Sequence, residues 1–154
     1  MTLYHSLELL EASAFAQFIR ESTWLFPAIE ATHLLALALL GGSLLIVALA
    51  VLGVGLDRSP AELLRSARPY LGTAIIALLV TGVLLGVSEP LKLYDRRAFL
   101  VKMIALAIAL LITYRGFTPR VARGQEGRVT RSVAGLTLAM WLVVAIAGRW
   151  IGFS

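Results

Sequence analysis

Between His33 and Asp57 the chain runs for 23 residues, LLALALLGGSLLIVALAVLGVGL, without one charged side chain. Wound as an α-helix, such a run measures about 35 Å, enough to cross a hydrocarbon core of about 30 Å. A soluble domain would have to hide it. A chain of 154 residues that is 59% hydrophobic and only 15% charged has too little interior for that. Four segments share this character: Ala28–Leu56, Tyr70–Val87, Phe99–Tyr114 and Val133–Phe153. Helices are expected throughout, because a lone strand in lipid leaves its backbone groups unpaired. The expected fold is an all-α membrane protein, a four-helix transmembrane bundle forming one domain over residues 1–154.

Local signals set the expected boundaries. Ser59-Pro60-Ala61-Glu62 reads as a capping box with proline at the first helical position, so a short helix is expected there. Pro69 is expected to kink or restart the chain as span two begins, and Glu89-Pro90 to end that span. Arg115 to Arg128 reads as a polar loop. At the N-terminus, residues 1–23 lack the basic start and cleavage site of a signal peptide and are expected to be retained. In this segment Leu3, Tyr4, Leu7, Leu10, Ala14, Phe15 and Phe18 recur at helical spacing. It is expected to be one amphipathic interfacial helix, either a simple anchor or a lid over the end of the bundle.

Lysine and arginine fix the expected orientation. The loops joining spans one to two and three to four hold eight arginines: Arg58, Arg65, Arg68, Arg115, Arg120, Arg123, Arg128 and Arg131. The other side holds Arg20, Lys92, Arg96 and Arg97, with Lys102 and Arg149 just inside the span ends. Acids are divided three against six, so the whole net charge of +5 falls on the first side. That side is expected to be cytoplasmic, with both termini periplasmic in a bacterial inner membrane. The pI near 10.2 then reports topology and not nucleic-acid binding. The expected partners are the lipid bilayer and a membrane redox partner or a second copy of the chain.

With that topology the titratable residues near membrane depth gather at one end. Glu30 and His33 lie three residues apart at the outer end of span one, on one helix face. Glu89, Lys102 and Arg149 reach the same end from the other three spans. A charged lysine within a span costs about 2.5–3.5 kcal/mol at the bilayer centre and less near the edge. Lys102 therefore either snorkels to the head groups or turns inward to Glu30, Glu89 or an anionic or metal-containing ligand. His33 has three readings: a structural hydrogen-bond donor, a haem ligand held by a second acceptor such as Glu30, or a proton carrier. His5 sits at the terminus and weighs little as a ligand. With no cysteine and no second histidine inside a span, thiolate, zinc and di-iron sites are short of ligands. Gly41, Gly42 and the Gly82–Gly86 pair suit close helix packing or clearance for a flat macrocycle. Met103 and Met140 are read as filler.

The stretches FPAIEATHLLALALLGGSLLIVALAVLG and SEPLKLYDRRAFLVKMIALAIALL resemble an uncharacterised family of small bacterial four-helix inner-membrane proteins, over nearly the whole chain. More distantly, a histidine early in span one and a lysine early in span three resemble HemJ-type protoporphyrinogen oxidases. HLLALALLGG is similar to CopD-type membrane domains. The HemJ resemblance implies a b-type haem, with His33 and Lys102 at the matching positions. In that family a Tyr-His stands near the end of span three, where this chain has Tyr114-Arg115. The implied function is a haem b redox protein, with His33 on the iron and Glu30 behind it. Lys102 would be a trans ligand or propionate partner, Arg149 a propionate partner, and Glu89 would complete the cluster. The alternatives are a cofactor-free accessory subunit or a small transport or metal-handling module.

Overall fold

The structure is a computed structural model describing residues 3–55, 57–94 and 97–153. Residues 1, Leu56 and Arg96, which figured in the expected boundaries and charge count, lie outside these. All regular structure among the described residues is helical. In order it comprises α1 (Leu3–Glu11), α2 (Ala14–Glu21), α3 (Leu25–Leu52), α4 (Pro60–Ser88), α5 (Pro90–Tyr94), α6 (Arg97–Leu111), α7 (Thr118–Ala122) and α8 (Arg128–Phe153). A π-helical turn, Ile112–Phe117, joins α6 to α7 without a break.

Among the described residues four helical runs are long and apolar enough to cross a membrane: Leu25–Leu52, Pro60–Ser88, Arg97–Ala122 and Arg128–Trp150. The chain is a multi-pass membrane protein with a four-helix bundle. α3 packs along α4 and against α8, and α8 in turn packs along α6. α7 closes the ring by touching α4. The core contains Leu40, Leu44 and Val47 of α3, Leu71 and Ala74 of α4, Ala105 and Ala109 of α6, and Trp141 and Val144 of α8. Alanine at these contacts lets helix backbones approach, which is where packing energy comes from when lipid is as apolar as the interior. Ile76, Leu79, Val80 and Val83 on α4, and Leu100, Ile104 and Ile108 on α6, stay exposed. Such apolar flanks suit contact with acyl chains and not with water.

The helix ends follow the local chemistry, with three corrections. Ser59 caps α4, its hydroxyl accepting from the Glu62 N–H at 3.3 Å, and Pro60 opens the helix as expected. The helix then runs through Pro69 to Ser88, so the short helix and span two are one element. Proline removes one backbone bond, and in a membrane helix neighbouring turns and hydroxyls absorb the loss. Here the carbonyl left without its N–H is that of Arg65, an exposed residue in the first turns of α4, where water reaches it. Span three is not short either, for the helical run passes Tyr114 and continues to Ala122. Arg115 and Arg120 have stems long enough to reach water from a helix. Pro119, early in α7, has no N–H to give to the turn before it. The expected polar loop shrinks accordingly to the turn before α8. α3 ends in a Schellman motif on Gly53, whose φ of 79° a glycine adopts without strain.

The N-terminal segment is two helices where one was expected. Ser13 breaks it, its side chain accepting from the Ala16 N–H at 3.2 Å as the cap of α2. Ala16 and Ile19 are the buried residues of α2, while Phe15 and Phe18 of the predicted stripe remain exposed. Exposed aromatics at this level match an interfacial helix. Glu11 and Arg20 fasten the pair to the bundle. Glu11 Oε2 accepts from the Leu91 N–H at 3.1 Å, and Oε1 stands 3.4 Å from Arg20 Nη1. Arg20 donates to the Ser88 carbonyl at 3.3 Å. These contacts satisfy a terminal carbonyl of α4 and a first-turn amide of α5, groups that helix ends leave unpaired.

Candidate functional site at the His33 end of the bundle

His33 lies eight residues into α3, about 12 Å from its start, and is half-buried. Across the helix interface its Nδ1 meets Thr81 Oγ1 of α4 at 2.8 Å. The Thr81 hydroxyl has a carbonyl partner of its own, Ala77 O at 2.5 Å. A hydroxyl carries one proton, and a carbonyl can only accept. The Thr81 proton therefore goes to Ala77, and Thr81 Oγ1 accepts from the Nδ1–H of His33. In the neutral ring this leaves the lone pair on Nε2. Nε2 has no hydrogen-bond partner among the described residues. Gly82 faces the ring as well: a Cβ built there would stand 3.5 Å from His33 Cε1. The glycine thus sets the room available at the imidazole edge.

Lys102 enters from α6 at the same end of the bundle. Its side chain lies along Gly148 of α8, with Nζ 3.4 Å and Cε 3.5 Å from where a Cβ would sit. It turns inward against a helix, is half-buried, and lies close enough to act electrostatically on His33. Among the described residues no carboxylate pairs with it. Two titratable groups from different helices thus converge on one region, each resting against a glycine of a third or fourth helix.

The other residues expected here are placed differently. Glu30 is exposed, and His33 is held by Thr81 in its stead. Glu89 ends α4 and pairs with Lys92 at 2.9 Å. Arg149 lies exposed near the end of α8, one residue from exposed Trp150, and both make interactions. His5 pairs with Glu8 at 3.5 Å on α1. Gly41 and Gly42 do not serve close packing, since a Cβ at either position meets nothing within 4 Å. No group of three or more His, Cys, Asp or Glu able to hold a metal ion occurs among the described residues. Two clefts lined by described residues, of about 620 and 180 Å³, open at the opposite, arginine-rich end and do not reach His33.

Thr81 is the site residue that sequence reasoning missed. The available signal was a lone hydroxyl inside an apolar run, one glycine before an otherwise aliphatic turn. Such a group in lipid needs a partner, and its own helix supplies only an acceptor. The remaining capacity of the oxygen is what receives His33.

A family profile matches residues 13–154, described as a family of unknown function (DUF6644). The chain belongs to that family. No curated protein and no solved structure matches it. The match takes in α2 through α8, and so every residue of the His33–Thr81–Lys102 arrangement, while α1 precedes it.

A haem implied by the HemJ resemblance can be tested against these residues. An axial histidine needs one nitrogen free and the other ring N–H anchored by an acceptor. His33 meets both conditions, with Thr81 as the acceptor. His33 is therefore the residue that would hold the metal of such a group, and the ammonium of Lys102 would neutralise one of its carboxylates.

Proposed function

We propose that the protein is a b-type haem-binding redox protein of a bacterial inner membrane, with both termini on the periplasmic side. The observation that carries this reading is the hydrogen bond from His33 Nδ1–H to Thr81, which orients the ring and leaves Nε2 free to bind a metal. Lys102, half-buried and without a carboxylate partner among the described residues, would hold the group either through its neutral amine on the metal or through its ammonium on a propionate. Arg149, near the end of α8, would neutralise a second propionate. Glu30 and Glu89 take no part: the first faces outward and the second is engaged by Lys92. The short resemblance of His33 and Lys102 to the HemJ pattern points the same way. Haem bound there would supply one-electron chemistry. The chain itself holds the imidazole, fixes its tautomer and sets a positive charge nearby.

The test is an absorption spectrum of detergent-purified protein beside His33→Ala. The expected result is a Soret band with sharp reduced α and β bands in the wild type, lost in the variant. A colourless wild type from haem-replete cells that stays unchanged when haem is added would overturn the reading, as would bands that survive His33→Ala.

A second reading is a cofactor-free accessory subunit. It is favoured by the same two contacts read as fasteners, since His33–Thr81 ties α3 to α4 and Lys102–Gly148 ties α6 to α8. On that reading His33→Ala lowers bundle stability with no spectral change, and a larger complex survives mild detergent.

A further inference from the structure

The arginine-rich end of the bundle carries more than a topology signal. A cleft of about 620 Å³ opens there, walled by the apolar Ala50, Val51, Pro60 and Val121 and carrying Arg128 and Arg131. An adjoining cleft of about 180 Å³ shares Ala61 with the first and carries Arg65 and Arg68. Among the described residues none of these four arginines makes an ion pair or hydrogen bond through its side chain. Glu126 is the one carboxylate lining either cleft, so four guanidinium groups face a single acid. A loop rich in arginine suffices to orient a membrane protein. That requirement does not demand that the arginines frame cavities, nor that they lie unpaired while Asp57, Glu62 and Glu126 are near in sequence.

From this we infer that the paired clefts bind the phosphodiester head group of an anionic phospholipid, its glycerol and first acyl carbons resting on the apolar wall. The position selects this ligand. The clefts lie where α3 ends and α4 and α8 begin, which is the head-group layer for helices that cross a membrane. Guanidinium forks pair with phosphate oxygens in bidentate fashion and lose less hydration than ammonium groups in doing so. Basic pockets between transmembrane helices are the form that anionic-lipid sites take. The excess of guanidinium over carboxylate favours a head group with net negative charge over phosphatidylcholine, whose choline cancels its phosphate. Gly124 and Gly127, with φ of 65° and 121°, shape the loop that lines the larger cleft and admit the head group beside Arg128.

The experiment uses the full chain in dodecyl maltoside micelles, titrated with fluorescent phosphatidylglycerol. The comparison set is Arg128→Gln/Arg131→Gln, Arg65→Gln/Arg68→Gln, and the control Arg115→Gln/Arg123→Gln, which makes the same charge change outside the clefts. All six side chains are exposed, and a melting curve of each variant confirms folding. The expected result is saturable binding that weakens about 30-fold in Arg128→Gln/Arg131→Gln, roughly fivefold per arginine. Binding weakens also in Arg65→Gln/Arg68→Gln and is retained in the control. Equal loss in the control would overturn the site in favour of a diffuse basic face. Equal binding of phosphatidylcholine would overturn it, leaving an apolar crevice. Displacement of the lipid by inorganic phosphate at equal concentration would overturn a lipid in favour of a free anion. Failure to retain lipid together with capture of a polyglutamate peptide would overturn it in favour of an acidic protein partner. None of these readouts depends on haem.

Discussion

Replacing Trp141 with alanine should lower the melting temperature of the purified bundle by roughly 5–15 °C, corresponding to about 2–4 kcal/mol. The indole is 5% exposed, sits where α8 meets α6 and the π-helical turn, and donates from Nε1 to Thr113 Oγ1 at 3.0 Å. Truncating a buried aromatic costs about 3–5 kcal/mol in a water-soluble core, part transfer and part cavity. In lipid the transfer part shrinks, because acyl chains are as apolar as the interior. The cavity part remains, since the lining atoms lose their partners wherever the void is. The hydrogen bond adds little, because Thr113 keeps its own bond to the Ala109 carbonyl at 2.6 Å after the indole is gone. Trp141→Phe should therefore recover most of the loss. A wild-type melting curve for Trp141→Ala would mean that α6 and α8 are held by something other than this packing.

Thr81→Val is the second large effect, and it separates the site from the scaffold. Valine keeps the shape of threonine and removes the oxygen, so the Nδ1–H of His33 faces a methyl group. An unsatisfied half-buried donor costs about 1–3 kcal/mol. If haem is bound, loss of the group behind a metal-ligating histidine lowers metal affinity by about 10–100-fold. Thr81→Ser restores the oxygen and should bring both quantities back towards wild type. The decisive comparison is valine against serine, by melting and by haem titration. Two variants that behave alike would show that the hydroxyl neither holds the ring nor fixes its tautomer.

The number of spans was readable because charge-free runs of membrane length have no other stable home. Their ends were less so. Arg115 and Arg120 look like loop residues when only charge is counted, yet long stems let a helix carry them past the apolar boundary. At the N-terminus, periodicity marked Phe15 and Phe18 as part of an apolar stripe, but periodicity is blind to whether a stripe meets protein or lipid. The residues that pack, Ala16 and Ile19, are the smaller and less conspicuous ones. For the site, His33 and Lys102 stood out because a titratable group inside an apolar run always needs an explanation. Glu30 was misjudged because residues three apart on a helix differ by about 60° in direction. One can face the bundle while the other faces away. Thr81 stayed hidden because its role depends on a contact across 48 residues of sequence, which spacing along one helix cannot show.

The wide turn between α6 and α7 gives the third membrane helix a spare residue. The Thr118 N–H bonds to the Thr113 carbonyl, five positions back, so Ile112–Phe117 holds one residue more than an ordinary turn would over the same rise. Such a turn behaves as slack in a rope. Removing the exposed Arg115 should let the segment close to plain α-helix while Lys102 above and Val121 below keep their bearings. Removing the exposed Ile108 from the regular part of α6 would swing everything beyond it by about 100°. The first deletion should melt near the parent and the second should not assemble. Length variation in this protein thus has a designated place to occur, midway between its two chemically distinct ends.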